Sequence, residues 1–181
     1  MRLTQDNIQA EFMRAGALQQ AGRYAEAAVL WRAITSAAPA SPEAAANLGG
    51  TLLELGAFAP AEAELRRAVA MAPDAPWAHY NLGRAMLLTR RWDAAEAAFQ
   101  AALALSPGDA KARLGLAHTY LAQGDYARGW PLYEARAEIP SQNAPKLDAP
   151  REWEGGPVAA PKSPWWLRPN SPPSLATWAC V

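Results

Sequence analysis

The segment Pro76–Pro107, PWAHYNLGRAMLLTRRWDAAEAAFQAALALSP, carries a pattern that recurs along most of the chain. Residues of the same kind return every 34 positions on both sides of this segment. The clearest columns are small (Ala15, Gly49, Gly83, Ala117), aromatic (Tyr24, Phe58, Trp92, Tyr126) and proline (Pro39, Pro73, Pro107). A fixed period of this length indicates a repeat architecture, in which each repeat is one unit of supersecondary structure.

Within each period, the spacing of the apolar residues predicts two helices joined by a short turn. Ser41 before Pro42 and Asp109 before the seventh helix are typical helix N-caps. Single helices of this length are unstable alone, so the stack of repeats is the cooperative unit. We expect helices over 5–20, 24–37, 42–55, 58–71, 76–89 and 92–105, a seventh after Asp109, and an eighth from Tyr126 to about Ile139, with turns at Gly22, Gly56, Arg90-Arg91 and Gly124.

Two more columns predict how these helices pack. One is small and the other is large: Ala27, Ala61, Ala95 and Gly129, against Trp31, Leu65, Phe99 and Tyr133. We interpret the small residues as points where helices approach closely and the large residues as filling the space that is left. These positions are predicted to form the core and not a binding site.

The segment Pro76–Pro107 resembles the tetratricopeptide repeat, because Trp77, Leu82, Gly83, Ala95, Phe99 and Pro107 stand near the spacing of that family. The resemblance implies an all-α, right-handed α-solenoid of about four helix-turn-helix repeats. We place these repeats at about 8–41, 42–75, 76–109 and 110–139, within a repeat domain over 1–139. It also implies a protein-interaction module rather than an enzyme.

The composition changes from Pro140 onward, since nine of the 16 prolines lie between Pro140 and Val181. Proline removes a backbone donor and disrupts helix interiors. We therefore predict an irregular, largely disordered Pro- and Trp-rich tail over 140–181. Its tryptophans are unusual for a solvated linker; they are Trp153, Trp165, Trp166 and Trp178.

The run GDYARGWPLYEAR, Gly124–Arg136, resembles the last repeat before the catalytic domain in bacterial tetratricopeptide proteins of glycosyltransferase type. The matching residues are Trp130, Tyr133, Glu134 and Arg136, followed by Trp153 and Gly155. The 25 residues after Gly156 are too few for a sugar-nucleotide domain. We therefore expect the chain to be at most the repeat half of such a protein, with a tail that is truncated or out of frame.

Composition and charge narrow the classes of partner. Lys+Arg and Asp+Glu balance at 17 each, so we expect neither nucleic acid nor an anionic membrane as a partner. No apolar run is long enough for a transmembrane helix, and the N-terminus lacks the apolar core of a signal peptide. The single cysteine, Cys180, fits a reducing compartment, and we expect the protein to be cytoplasmic.

The sequence offers little for catalysis, a metal or a cofactor. The only histidines, His79 and His118, lie on first helices of adjacent repeats, 39 residues apart. Cys180 has no feature nearby that would lower its pKa. We predict no enzyme activity, no metal site and no cofactor, and we expect both histidines to be packed or surface side chains.

The partner is predicted to be a protein or peptide held in a groove, because the first helices of such a stack line its concave side. The columns left over from packing predict the groove residues. These are Glu43, Asn47, Gly50 and Glu54 in the second repeat, Trp77, Tyr80, Asn81 and Arg84 in the third, and Lys111, Leu114, Gly115 and His118 in the fourth. Arg84 and Lys111 form a cationic spot suited to a carboxylate, unless they belong to a solvated charged face.

Asn47 and Asn81 share one column, and the sequences ANLG and YNLG around them resemble repeats of the O-linked N-acetylglucosamine transferase type. That resemblance implies an asparagine ladder that holds the backbone of an extended peptide. One amide offers both an acceptor and donors to a peptide group. The ladder is incomplete, since the column holds Met13 and Gly115 in the outer repeats; alternatively, both amides bond locally within their helix pair.

Three functions follow from these features. The leading prediction is a non-enzymatic module that binds an extended peptide in the groove. The second is the acceptor-recognition fragment of a glycosyltransferase-like protein. The third is a scaffold that self-associates weakly through the fourth repeat, because terminal repeats need a polar outer face and no capping helix is predicted there.

Overall fold

The computed structural model describes residues 5–139, and within this range the chain is entirely helical apart from turns, with no β-strand. The four helix pairs confirm the predicted all-α repeat architecture. The α-helices are α1 (Gln5–Gln20), α2 (Tyr24–Ala37), α3 (Pro42–Glu54), α4 (Phe58–Met71), α5 (Pro76–Leu88), α6 (Trp92–Leu105), α7 (Ala110–Ala122) and α8 (Tyr126–Tyr133), followed by a 3₁₀ helix (Glu134–Glu138). The predicted ends of α3 and α5 were wrong by one residue each.

Two of the first helices begin at the caps that the sequence predicts. The Ser41 hydroxyl accepts a hydrogen bond from the Ala44 N–H at 3.2 Å, and Pro42 occupies the first turn of α3. The Asp109 carboxylate accepts from the Lys111 N–H at 2.9 Å at the start of α7. Such caps satisfy backbone donors that a helix leaves unpaired. They fix where each helix begins, and so which side chains reach each face.

The small and large columns pack as predicted in the central repeats. Ala61 and Ala95 are fully buried, as are Leu65 and Phe99. A Cβ at Gly83 would lie 2.8 Å from Cδ1 of Phe99, closer than real Cβ contacts allow. Each repeat thus closes around a large side chain that fills the space left by the missing Cβ, and this interlock fixes the spacing of α5 and α6.

Three of the four intra-repeat turns use a left-handed glycine, with φ between 72° and 81° at Gly22, Gly56 and Gly124. In the third repeat the same position is Arg90, which has φ 58°. A side chain with a Cβ is strained in this region. The turn keeps its geometry across the repeats although one of them lacks the residue best suited to it.

The end of the fourth repeat differs from the prediction of a helix from Tyr126 to about Ile139. The α-helix ends at Tyr133, and the chain continues as the 3₁₀ helix Glu134–Glu138. Pro131 lies inside α8 and removes one backbone donor, which weakens the helix at this turn. Ile139 precedes a proline in the sequence and has the extended backbone that this neighbour favours.

The first helices of successive repeats lie side by side, since α3 packs on α5 and α5 packs on α7. They form one continuous surface, which is the concave side of this type of solenoid. No helix in residues 5–139 could cross a membrane. The predicted tail over 140–181, with its tryptophans and Cys180, lies outside the described residues, and the domain boundary at 139 remains a prediction.

Candidate functional site

Two adjoining pockets, each of about 550 Å³, lie on the surface of the first helices between α5 and α7. Four residues line both: Tyr80, Asn81, Lys111 and Ile139. The larger set around the first pocket also includes Arg84, Leu87, Leu88, Phe99, Leu114, Gly115 and His118, and Trp77 lines the second. Eight of the twelve residues predicted to face the groove thus line these two pockets.

Asn47 lies apart from these eight, in a third pocket of about 320 Å³ at the first two repeats. Gln19 also lines it, and this amide is occupied, because its oxygen accepts from Trp31 Nε1 at 3.2 Å and from the Thr51 hydroxyl at 3.1 Å. Gly50, also predicted to face the groove, is a buried residue of α3, and a Cβ at this position would have no atom within 4 Å.

The side-chain amides of Asn47 and Asn81 make no hydrogen bond to any part of the chain that the structure describes. Both residues are half-buried and each lines a pocket. The alternative interpretation was that both amides bond locally within their helix pair. The structure shows no such hydrogen bond within residues 5–139. An amide in this position offers an acceptor and donors to a ligand.

The floor of the first pocket is aromatic. The Tyr80 ring lies 6.0 Å from the Phe99 ring, measured between centroids, and burial raises the pKa of the Tyr80 hydroxyl. A Cβ at position 115 would lie 2.4 Å from Cε1 of Phe99. The ring therefore requires glycine there, and this explains why the asparagine column stops before the fourth repeat.

The cationic side chains at this surface differ in their surroundings. Arg84 donates to Glu54 at 2.7 Å across the boundary between the second and third repeats, so the predicted cationic spot is partly neutralised at that residue. Arg113 pairs with Glu138 beside the pockets, and this carboxylate raises the pKa of the guanidinium. Lys111 is exposed, lines both pockets and forms no ion pair within residues 5–139.

The two histidines have different surroundings. His118 is exposed in the first pocket, with its ring 5.7 Å from the Tyr133 ring. His79 Nε2 lies 2.7 Å from the Pro73 carbonyl oxygen, at the loop before α5. In the described part of the chain, no three His, Cys, Asp or Glu side chains are grouped so that they could hold a metal ion.

Sequence reasoning missed Leu87 and Ile139, which complete the apolar wall of the first pocket. Leu87 had no distinguishing feature among the apolar residues of α5. Ile139 was assigned to a helix, and the signal that would have removed it from that helix was available in Pro131 and in the proline that follows it.

Comparison with known proteins agrees with this architecture. The sequence profile described as Tetratricopeptide repeat matches residues 18–75 and 90–129, more than half of the 181 residues. No curated protein matches the sequence. None of the findings shows the glycosyltransferase-like junction at Gly124–Gly156, which stays a prediction and lies partly outside the described residues.

Several solved structures are similar. One is TTC0263, a thermophilic TPR protein of Thermus thermophilus, with 22% identity, a TM-score of 0.69, and coverage of 73% of this chain and 74% of that one. Another is the first TPR of Spaghetti (RPAP3) bound to the HSP90 peptide SRMEEVD, with 21% identity, a TM-score of 0.62, and coverage of 68% and 98%. A third is a mutant O-GlcNAc transferase of Thermobaculum terrenum, with 29% identity and a TM-score of 0.62. The match covers 65% of this chain but only 23% of that one. The repeat columns, the helix pairs and the profile match agree, and the chain belongs to the tetratricopeptide repeat family.

Proposed function

We propose that the protein is a non-catalytic interaction module that binds an extended peptide segment along the surface of its first helices. The tetratricopeptide fold typically serves protein–protein interaction. The observation that carries the proposal is the pair of half-buried amides at Asn47 and Asn81, 34 positions apart in one column, with no hydrogen-bond partner in residues 5–139.

The physical argument rests on the hydrogen-bonding capacity of the two amides. Their polar atoms are accessible to solvent and form no hydrogen bond within residues 5–139, so they are available to a ligand. An extended peptide presents carbonyl and N–H groups along its length, and each asparagine can pair with one such unit. The contrast with Gln19 supports this assignment, because that nearby amide is already used to join Trp31 and Thr51.

Two further observations favour a peptide ligand of acidic character. The charged residues that line the first pocket, Arg84 and Lys111, are both cationic. Among the similar structures, the first TPR of Spaghetti (RPAP3) is bound to the HSP90 peptide SRMEEVD, and this shows that a solenoid of similar fold holds a short peptide. The two chains share 21% identity, so the comparison supports the kind of ligand and not its sequence.

A selection experiment tests the proposal without a known partner. The full chain is immobilised, a random peptide library displayed on phage is enriched on it, and the affinity of synthetic versions of the enriched peptides is measured. Changing both Asn47 and Asn81 to alanine should weaken every such peptide, by about 1–2 kcal/mol for each amide, whatever its side chains.

Gln100→Ala is the matched control, because it removes an exposed amide from α6, away from the first-helix surface. It should leave the affinity unchanged, and circular dichroism should show that all variants fold. Undiminished binding to a folded double asparagine variant would rule out backbone capture by this column.

A second candidate function is acceptor recognition within a larger glycosyltransferase-like protein. The observation in its favour is the 29% identity to the O-GlcNAc transferase chain, of which 23% is covered. Sequencing the DNA around the gene tests it. A neighbouring reading frame without a glycosyltransferase-like continuation would remove this candidate.

Self-association through the fourth repeat stays a third candidate. Trp130 is 55% exposed on α8 and Tyr126 is 60% exposed. In the second and third repeats, the position equivalent to Trp130 is a glutamate that contacts the following repeat: Glu62 with Arg91, and Glu96 with Tyr120. Sedimentation velocity over a concentration series would detect an oligomer, and Trp130→Ala should abolish it.

A further inference from the structure

We propose that the pocket between α5 and α7 is a side-chain subsite, which takes one bulky apolar residue of an acidic, extended peptide while Lys111 contacts a carboxylate of the same peptide. This inference rests on the peptide-binding function proposed above and adds what the peptide must contain. It concerns the half of the surface where the asparagine column has ended.

The pocket has the size and lining of a ligand site. Its volume of about 550 Å³ falls within the range of about 300–1,000 Å³ that is usual for such sites. The walls are the half-buried side chains of Tyr80, Leu87, Leu114 and Ile139, above the ring of Phe99. A peptide side chain that entered this space would lose apolar surface to solvent on several sides, and this burial is favourable.

The pocket exists because position 115 is glycine, where the equivalent positions of the second and third repeats are asparagine. The Phe99 ring reaches so close to α7 that no Cβ fits there. An asparagine, which would cover this floor with a polar side chain, is excluded for the same reason. The fourth repeat therefore presents an apolar surface at the column where the second and third repeats present an amide.

One wall is not part of any regular repeat. The segment Glu134–Ile139, which we call the C-terminal strap, packs on α7 and α8 and ends with Ile139 at both pockets. Ala135 within the strap is buried, and the ion pair between Arg113 and Glu138 joins the strap to α7. The early end of α8 is thus what brings Ile139 to the first-helix surface.

The charges decide which peptide fits. Arg84 and Lys111 line the pocket with no acidic residue among its lining side chains. Glu54 holds Arg84, whereas Lys111 has no carboxylate partner in the described residues. The nearby Asp109 carboxylate is engaged by backbone N–H groups at the start of α7. An acidic side chain of the ligand complements Lys111, and a basic one would be repelled.

The peptide selection described above gives the first test. Enriched sequences should share one Leu, Ile, Met, Phe or Trp with an Asp or Glu nearby. Enriched peptides that lack a common apolar position, or that are basic, would overturn the subsite. A library that yields no binder would overturn the subsite and the peptide-binding function together.

A double-mutant cycle with one enriched peptide gives the second test. Ile139→Ser in the protein, or alanine at the apolar position of the peptide, should each weaken binding about five- to tenfold. The two changes together should weaken it no more than either alone within about twofold, because they remove one shared contact. Val29→Ser, at an exposed apolar residue of α2, is the matched control and should have no effect.

Losses that multiply in the cycle, or an unchanged affinity for Ile139→Ser, would overturn the assignment. Ile139 lies after the last helix of the described chain, so the repeats should fold without its side chain. Lys111→Gln supplies an independent variant, with a loss that disappears at high salt and for peptides without the acidic residue. The Asn47 and Asn81 variants separate the two proposals, since they should weaken binding even if Ile139 does not couple to the peptide.

Discussion

The first-helix surface has two halves that share one backbone register and differ in most of the side chains that line their pockets. In the first two repeats the pocket is polar and measures about 320 Å³, lined by Gly16, Gln19, Gln20, Tyr24, Asn47 and Glu54. In the last two repeats the pockets are larger and lined by aromatic, aliphatic and cationic side chains. One column makes the contrast clear, since it reads Gly16, Gly50, Arg84 and His118.

This difference separates what the period fixes from what it leaves open. The columns that lie between helices keep their size in all four repeats, because a change there alters the spacing of two helices. The columns on the surface change freely, because each repeat contacts only its neighbours. Ligand recognition is therefore expected from the surface columns, and the larger share of it from the half with the larger pockets.

The largest expected effect comes from adding one carbon to each half. Gly115→Ala should destabilise the protein by about 1–3 kcal/mol, because the new Cβ would lie 2.4 Å from the Phe99 ring. Gly16→Ala in the other half should stabilise it by roughly 0.5–1 kcal/mol, since nothing lies within 4 Å and alanine favours the helix. Chemical denaturation of both variants measures the difference. Equal shifts would show that the two halves are packed alike.

The turns extend the comparison to the ends of the helices. Gly56→Ala should cost about 1–2 kcal/mol, because φ is 72° there and a Cβ is strained in this region. Arg90→Gly, at the equivalent turn of the third repeat, should stabilise by about 0.5–1 kcal/mol after allowance for the greater freedom of glycine in the unfolded chain. Thermal unfolding of both variants tests this, and an Arg90→Gly protein that melts earlier would show that the arginine side chain makes a compensating contact.

The contrast between packing columns and surface columns also explains how much of the fold could be predicted from the sequence. The helices, their caps and the close packing of Gly83 against Phe99 could be predicted, because residues in the same column of a 34-residue repeat occupy equivalent positions in the helix packing. The strap could not be predicted from the period, because the fourth repeat departs from it at Pro131. Because the period predicts a helix up to about Ile139, the pocket wall that this residue forms was missed.

The candidate site shows the same limit. The register predicted which residues share the first-helix surface, and Trp77, Tyr80, Asn81, Arg84, Lys111 and His118 lie there together. Whether a charged side chain already has an ion-pair partner depends on side-chain conformations in two neighbouring repeats. The repeat pattern does not predict these conformations. The bond from Arg84 to Glu54 is such a case, and it changes what Arg84 offers to a ligand.

Within residues 5–139, two ion pairs join the halves: one on the inner layer, formed by the first helices, and one on the outer layer, formed by the second helices. On the outer layer, Glu62 of the second repeat accepts from Arg91 of the third at 2.7 Å and from Arg66 at 2.9 Å. The hydrogen bond from Arg91 is the main cause that lowers the pKa of Glu62. A carboxyl with a lowered pKa in the folded state adds stability above its unfolded value of about 4.3, and this stability is lost as the pH falls through the folded value.

Glu62→Gln should therefore cost at most about 1 kcal/mol at neutral pH, because the pair is partly exposed to solvent. The difference from the unchanged protein should shrink as the pH falls through the lowered pKa of Glu62, and vanish once this carboxyl is protonated in both the folded and the unfolded state. Urea unfolding at several pH values measures it. A difference that persists in acid would mean that the lost contact is not electrostatic.

On the inner layer, Glu54 of the first half neutralises Arg84 of the second, and releasing that arginine should produce the smallest and most specific effect. Both side chains are about one third exposed, so Glu54→Gln should change stability by less than about 0.5 kcal/mol. It should also raise the affinity for an acidic peptide by about twofold at low salt, because Arg84 then acts beside Lys111 as a second cation. Arg84→Ala should have the opposite effect on affinity with the same small change in stability.

Titrations of one acidic peptide into both variants at low and high salt test these expected changes in affinity. If Glu54→Gln leaves the affinity unchanged while Arg84→Ala lowers it, Arg84 already contacts the ligand in the unchanged protein, and the charge that the last two repeats offer to a ligand does not depend on Glu54.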